Sequence, residues 1–189
     1  GVPIDVNDMA ILDGKAGELD ENVRGEIAIR GHTVAAGYFE NPEANRSAFT
    51  DGWFRSGDEG FWQRGPDGRS YFFITGRLKE LIIRGGVNIS PLEIDEVINA
   101  HPGVDQGLAV GFANEWYGEE VGAYVRRADP EVTEEALLAA LADALPFAKR
   151  PKVVVFGDDI PVTSTGKYKR NRLVELFADH RTTQFRDER

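Results

Sequence analysis

Hydrophobic positions in the first part of this 189-residue chain occur in short runs that are separated by glycines. The runs Met9–Leu12 and Glu26–Arg30 are typical of β-strands. Two more runs, Asp58–Gln63 and Arg69–Thr75, flank the turn sequence Arg64-Gly-Pro-Asp-Gly68 and predict a β-hairpin. A β-rich part is therefore predicted up to about residue 78.

The pattern changes at Leu81, where strand-like and helix-like stretches begin to alternate. Ser90-Pro-Leu-Glu93 predicts a helix start, because it combines a capping box with a proline in the first turn. The remaining elements are predicted as strands near Gln106–Gly111, Val121–Arg126 and Lys152–Phe156, and as helices from Thr133 and from Lys169 to about His180. In the last helix, Leu173, Leu176 and Phe177 are predicted to face the core.

The fold class predicted from these patterns is α+β, with a β-rich part over residues 1–78 and a small α+β domain over residues 79–189. The second part is long enough to build a core of its own. The segment Thr75–Glu80 joins the two parts and contains a glycine. Such a segment either absorbs a domain rotation or is an ordinary turn between strands, and spacing alone leaves both readings open.

Composition excludes several classes of site. The formal charge of −10 argues against nucleic-acid binding, and the absence of cysteine excludes disulfides and thiolate chemistry and suits a reducing compartment. The three histidines, His32, His101 and His180, lack metal-ligand spacing, so no metal site is predicted. No apolar run is long enough for a membrane span and there is no secretory leader, so a cytoplasmic protein is expected.

The segment Pro161–Arg170 contains the first candidate for chemistry. It places Lys167 after Gly166 on a loop of small polar residues. The ammonium of such a lysine can reach a phosphate or a carboxylate as a point charge on a flexible stem. An ordinary polar loop before the final helix explains the same residues equally well.

Three further positions could contact a nucleotide or another ligand. Asp58 could accept hydrogen bonds from ribose hydroxyls, or could be a turn aspartate that bonds its own backbone. Arg77 could bind a ribose or phosphate, or could pair with Glu80. The glycine pair in Arg84–Asn88 permits a ligand to approach the backbone closely, or simply forms a hairpin.

Taken together and in order, these motifs resemble the adenylate-forming acyl-CoA synthetase family of the ANL superfamily. The resemblance is carried by Gly37-Tyr38 with Asn41-Pro-Glu43, by Asp51–Asp58, by Gly76–Glu93 and by Pro161–Arg170. It implies a reaction in which a carboxylic acid and ATP give acyl-AMP and pyrophosphate, and CoA then gives a thioester and AMP. Fatty, aromatic and small dicarboxylic acids all remain open as substrates.

The resemblance also implies roles for individual residues. Asp58 and Arg77 match the residues that contact the nucleotide ribose, and Lys79 matches the hinge about which a mobile C-terminal domain rotates. Lys167 matches the catalytic lysine of adenylation. The backbone of Arg84, Gly85, Gly86 and Val87 matches the loop that lines the CoA pantetheine tunnel, whereas Lys169, Arg170 and Arg172 either meet CoA phosphates or form a solvated helix face.

Some parts of the family's site have no counterpart in this sequence. The phosphate-binding loop, the adenine-binding motif and the acid pocket precede the region that matches Gly1, and Mg²⁺ is expected to be bound largely by those parts. Residues 1–78 therefore correspond to the β-barrel end of the large N-terminal domain, and residues 79–189 to the mobile domain. The chain is interpreted as a piece of a longer ligase that is inactive alone.

Two alternatives to a CoA ligase stay open, namely an adenylation module that loads a carrier protein and a binding fragment without catalysis. Lys167 also resembles the site at which a lysine acetyltransferase inactivates bacterial acyl-CoA synthetases. Acetylation would remove the positive charge on which adenylation depends.

Overall fold

A computed structural model describes residues 1–185, and within them the chain divides after Lys79 into two units that each contain a five-stranded sheet. This division lies one residue after the predicted boundary. Helices and strands both contribute to the structure, so the predicted α+β fold class is confirmed.

The first unit is built on an antiparallel sheet in which the longest strand is central. Its strands are β1 (Asn7–Leu12), β2 (Gly25–Gly31), β3 (Phe49–Thr50), β4 (Trp53–Arg64) and β5 (Ser70–Arg77). β1 pairs with β2, β2 pairs with β4, and β4 also pairs with β3 and β5. The predicted strands and the predicted hairpin are confirmed.

Both faces of this sheet carry apolar side chains, because successive residues of a strand point to opposite sides. Leu12, Ala28 and Trp53 pack together in one cluster, whereas Ile11 and Ile27 pack with Phe72 in another. The short helix α1 (Pro42–Ala48) precedes β3, and the Asn41 side chain caps it by accepting a hydrogen bond from the Ala44 amide at 3.0 Å.

The second unit is organised around strand β9. Its elements are β6 (Ile82–Arg84), β7 (Val87–Ile89), α2 (Pro91–Asn99), β8 (Val104–Asn114), β9 (Gly118–Arg127), α3 (Glu134–Ala144) and β10 (Val153–Phe156). β8 runs antiparallel along β9, β10 runs parallel to it, and β6 meets it where Arg84 pairs with Gly118. β7 completes a hairpin with β6.

Helices α2 and α3 bury their apolar faces in the main core of this unit. Ile94, Ile98, Leu137 and Leu141 are almost completely buried there. Gly107 of β8 allows α2 to approach closely, because a Cβ at this position would lie 2.1 Å from Cγ2 of Ile98. The helix starts predicted at Ser90 and Thr133 are therefore supported by tertiary packing as well as by local sequence.

The Ser90 side chain does not make the hydrogen bond that the predicted capping box assigns to it at the start of α2. Ser90 is the N-cap residue, but its side chain makes no capping hydrogen bond. The Glu93 carboxylate pairs with the Lys149 ammonium, which follows α3 in the chain. The Glu93 side chain thus also makes an ion pair with a residue that is distant in sequence.

The predicted terminal α-helix is also wrong in type and in one buried residue. Residues Arg170–Arg172 and Val174–His180 form 3₁₀ turns, which have three residues per turn. That period places Val174, Phe177 and His180 on one side, and Phe177 is fully buried. Leu173 is buried as predicted, but Leu176 is 49% exposed.

Among the helices of residues 1–185, none combines the length and the apolar character that a membrane crossing requires.

Candidate functional site

Asp58 and Arg77 form an ion pair in the first unit. They lie directly opposite each other on β4 and β5, and Nε of Arg77 is 2.8 Å from Oδ1 of Asp58. Both side chains keep some contact with solvent, at 22% exposure for Asp58 and 47% for Arg77. The pair can therefore offer a ligand an acceptor and a donor side by side. Arg77 pairs with Asp58 and not with Glu80, the alternative partner suggested by the sequence.

Glu26 holds the backbone just before Asp58, and sequence reasoning did not identify it. Its carboxylate accepts from the Gly57 amide at 2.9 Å and pairs with the Arg55 guanidinium at 2.5 Å. Ser56 Oγ donates to the Ile27 carbonyl at 2.7 Å and accepts from the Asp58 amide at 3.1 Å. A buried glutamate on β2 therefore fixes the approach to Asp58 on β4.

Lys167 lies in the second unit on a closed hairpin turn, hereafter the lysine hairpin (residues 161–169). The Thr163 amide donates to the Lys167 carbonyl at 2.7 Å, and the Gly166 amide donates to the Thr163 carbonyl at 3.0 Å. Gly166 has φ +79°, as the left-handed residue of a three-residue hairpin loop requires. The lysine side chain itself is exposed, so a fixed backbone presents a cation to solvent.

Arg170 attaches the lysine hairpin to the core of the unit. Its guanidinium makes a two-point ion pair with Asp95 of α2 and donates to the Ala109 carbonyl at 2.9 Å. Its side chain is only 11% exposed. Arg170 is therefore neither a free phosphate-binding cation nor part of a solvated helix face, the two alternatives that its sequence context suggests.

Asp95 sits in an environment that opposes ionisation. Burial raises the pKa of its carboxyl above the ordinary value of 3.8, while Arg170 and the Ala109 amide act in the opposite direction. The Ala109 amide donates to Oδ1 of Asp95 at 2.7 Å. This carboxylate thus links α2, β8 and the segment that follows the lysine hairpin.

Gly85 and Gly86 form the two-residue turn between β6 and β7, hereafter the glycine turn. Their φ angles of +55° and +83° both lie in the left-handed region, as the tight hairpin loop between two strands requires. The Gly85 amide donates to the Tyr117 carbonyl at 2.8 Å, and no heavy atom lies within 4 Å of a Cβ built on Gly86. The hairpin reading is confirmed, and the Gly86 backbone remains open to an approaching ligand.

The side chain of Arg84, next to the glycine turn, points into the protein. Nε of Arg84 lies 2.5 Å from Oε1 of Glu120, and the two side chains are 7% and 0% exposed. The guanidinium also lies over the Tyr117 ring, 4.1 Å from its centroid. Arg84 can therefore contribute backbone, but not its charge, to a ligand at the glycine turn. Its role and those of Gly85, Gly86 and Val87 in CoA binding stay predictions.

Lys79 lies in the 3₁₀ turn Leu78–Glu80 and is exposed. The division between the two units falls immediately after it. The hinge role of Lys79, like the roles of Asp58, Arg77 and Lys167, stays a prediction. In the part of the chain that the structure describes, no three His, Cys, Asp or Glu side chains come together as metal ligands.

Residues 93–167 match the family model of the AMP-binding enzyme C-terminal domain. The chain is 44% identical to an oxalate–CoA ligase of Arabidopsis thaliana over 91% of its own length and 33% of that protein. It is 45% identical to a sulfoacetate–CoA ligase of Cupriavidus necator over 79% of its own length and 29% of that protein.

Solved structures of similar proteins also match most of this chain. The crystal structure of ATP-bound MatB from Rhodopseudomonas palustris matches with a TM-score of 0.84 and 35% identity, over 95% of this chain and 35% of that one. A magnesium- and ATP-bound o-succinylbenzoate CoA synthetase from Bacillus subtilis matches with a TM-score of 0.83 and 29% identity, over 92% of this chain and 35% of that one. The chain spans about a third of the length of these relatives.

Proposed function

The chain belongs to the adenylate-forming enzymes of the ANL superfamily, as their C-terminal portion, and we propose from this membership that it works within an ATP-dependent acyl-CoA synthetase. One observation carries the proposal most directly: a hairpin that is fixed by its own backbone bonds presents the exposed Lys167 ammonium. The CoA ligases among its relatives support free CoA as the thiol substrate.

In the first half-reaction, an oxygen of the substrate carboxylate attacks the α-phosphorus of ATP. The bond from that phosphorus to the bridging oxygen of the β-phosphate breaks, and pyrophosphate leaves with the electron pair. Lys167 lies between the carboxylate and phosphate oxygens, where its positive charge stabilises the negative charge redistributed in the transition state. Its second contribution is positional, because it holds two anions together that otherwise repel each other.

Asp58 and Arg77 serve the nucleotide in this proposal. Asp58 accepts hydrogen bonds from the ribose hydroxyls, and Arg77, which pairs with Asp58 from the opposite strand, also contacts the ribose. ATP enters as its magnesium complex, and residues of the longer enzyme beyond this chain hold the ion. These contacts orient the α-phosphate without taking part in bond making.

In the second half-reaction, the sulfur of CoA attacks the acyl carbonyl carbon, and AMP leaves. The thiol proton passes to solvent or to the departing phosphate. The glycine turn lies along the pantetheine arm, because only the absence of side chains at Gly85 and Gly86 lets the arm pass close to the backbone. The second unit moves about Lys79 between the two half-reactions.

The exposed Lys167 also supports a regulatory proposal. Its ammonium is accessible to a lysine acetyltransferase, and acetylation removes the charge that the first half-reaction needs. The absence of cysteine suits a reducing compartment, and we propose that the enzyme works in the cytoplasm. Incubation with an acetyltransferase and acetyl-CoA, followed by peptide mass spectrometry, should find the modification at Lys167.

The proposed function is tested on the complete enzyme that carries this chain. It is incubated with ATP, CoA and a panel of fatty, aromatic and small dicarboxylic acids. We expect acid-dependent exchange of labelled pyrophosphate into ATP, and AMP and a CoA thioester in equal amounts. Transfer to a carrier protein but not to CoA would identify an adenylation module instead, and no exchange with any acid would support a binding fragment. The 189 residues alone are expected to give no exchange.

A further inference from the structure

Two buried ion pairs in the second unit each lie directly beside one of the two turns described above. Arg170 follows the lysine hairpin and pairs with Asp95, whereas Arg84 precedes the glycine turn and pairs with Glu120. We propose that these pairs are separate positioning devices, so that Asp95–Arg170 supports adenylation and Glu120–Arg84 supports thioester formation. The inference rests on the proposed function and adds four positioning residues to it.

The first pair fixes the lysine hairpin to two elements of the core. The Lys169 amide donates to the Pro161 carbonyl at 2.8 Å and closes the base of the hairpin. Arg170, the next residue, is held by Asp95 of α2 and by the Ala109 carbonyl of β8. Movement of Arg170 therefore displaces the whole hairpin and with it the backbone of Lys167.

The second pair fixes the glycine turn to strand β9. Arg84 is the last residue of β6 and pairs in register with Gly118, the first residue of β9. The Arg84 side chain reaches Glu120, while the Gly85 amide binds the Tyr117 carbonyl. The turn is therefore held from both its backbone and its neighbouring side chain.

The two devices share no residue and use different elements. Asp95–Arg170 joins α2 to the segment after the lysine hairpin, whereas Glu120–Arg84 joins β9 to β6. Neither pair is needed to cover the apolar core, which is built from aliphatic side chains of α2, α3 and the sheet. Charged pairs at these places are therefore better explained by positioning than by stability, because buried ion pairs contribute little net stability.

Arginine-to-lysine substitutions test the inference with the least damage to the fold. Lysine keeps the positive charge but lacks the planar fork that makes two-point contacts. In the complete enzyme, Arg170→Lys should slow acid-dependent pyrophosphate exchange about 10–100-fold, the loss that a small misplacement of a catalytic group causes. The same variant should form thioester from supplied acyl-adenylate and CoA within about twofold of the normal rate.

Arg84→Lys should give the opposite result, with thioester formation slowed about 10–100-fold and exchange within about twofold. Arg126→Lys is the matched control, since Arg126 pairs with Asp105 in the same unit but the two side chains are 40% and 51% exposed. This control should change neither half-reaction. If a lysine variant fails to fold, Asp95→Asn and Glu120→Gln repeat the two tests by changing the acidic residue of each ion pair.

Equal loss of both half-reactions in either variant would overturn the inference, because a pair that only stabilises the domain cannot distinguish between them. Normal rates in both folded lysine variants and both partner variants would overturn it as well. Failure of the proposed function has a different signature. In that case the unsubstituted complete enzyme itself shows neither pyrophosphate exchange nor thioester formation.

Discussion

Arg77 reaches across from β5 to the carboxylate of Asp58 on β4, and the two residues occupy directly opposed positions of the ladder. The two residues are distant in sequence, and the pairing of β4 with β5 brings them together. Because β4 and β5 pair antiparallel, the position of Asp58 is set by both strands and not by a loop. A ligand that uses both groups meets a surface that is already assembled.

Replacing Asp58 with asparagine should weaken nucleotide binding. Asparagine keeps the shape of the side chain but loses the negative charge, and hydrogen bonds to charged groups contribute about 1.5–3 kcal/mol. We therefore expect the KM for ATP of the complete enzyme to rise about 10–100-fold. Asp67→Asn is the control, because Asp67 pairs with Arg69 at the far turn of the same hairpin. A KM that changes equally in both variants would contradict a direct role for Asp58.

Removal of Glu26 should destabilise the first unit. Glu26→Ala leaves the Arg55 guanidinium and the Gly57 amide without this partner, and removing one partner of a buried ion pair costs about 3–5 kcal/mol. Urea unfolding of the chain measures the change. Asp8→Ala removes an ion pair with Arg30 on the neighbouring strands, where both side chains are at least half exposed, and should cost about 0–1 kcal/mol. Similar losses in the two variants would refute the anchoring role of Glu26.

Lys167→Ala should act on one half-reaction only. Loss of one charge-stabilising donor costs catalysis about 10²–10³-fold, so pyrophosphate exchange should fall by that factor. Thioester formation from supplied acyl-adenylate should remain. Because the side chain is exposed, the unfolding midpoint should not change. A variant that loses both half-reactions equally would show that Lys167 does not have the proposed role.

Gly86→Ala should impair the second half-reaction through the backbone. A residue with a Cβ is strained by about 1–2 kcal/mol at a φ of +83°, and the added methyl narrows the path along the glycine turn. Gly68→Ala is a close control, since Gly68 has a φ of +78° and equally open surroundings in the first unit. Both variants should lose similar stability in urea unfolding. Only Gly86→Ala should slow thioester formation.

The raised pKa of Asp95 predicts a pH dependence. The folded state binds the proton of the Asp95 carboxyl more tightly than the unfolded state does. The contribution of Asp95 to the free energy of unfolding is therefore full below pH 3.8 and is lost as pH rises through the raised pKa. The difference in free energy of unfolding between the normal chain and Asp95→Asn should therefore decrease as pH rises above 3.8. Urea titrations at a series of pH values measure it. An increasing difference would show that Arg170 outweighs burial.

Local sequence predicted strands β1, β2, β4, β5, β8, β9 and β10 and helices α2 and α3, because apolar residues recur along them at the spacing of a strand or a helix. It failed at residues 170–180, since Leu173, Leu176 and Phe177 fit an α-helical face while the chain forms 3₁₀ turns. No pattern of side chains distinguishes these two helix types over so short a segment.

The lysine hairpin and the glycine turn could also be located from the sequence, but the buried ion pairs beside them could not. Asp95 and Arg170 are 75 residues apart, and Glu120 and Arg84 are 36 apart. In the sequence, Asp95 and Glu120 read as ordinary charged residues, whereas Arg84 and Arg170 belong to motifs that predict ligand contacts and not buried ion pairs. A single sequence contains no information on which charges meet across a fold, so these pairs emerge only when the sheet is assembled.

Both turns belong to the same compact unit, and each is attached to its sheet or its helices. The lysine hairpin and the glycine turn are therefore expected to move together with this unit. In the proposed mechanism, one rotation of this unit moves both turns together, so a rotation that brings one turn to the acyl group can take the other away from it. The enzyme would then need no separate control of its two steps, because the two turns cannot be positioned independently of each other.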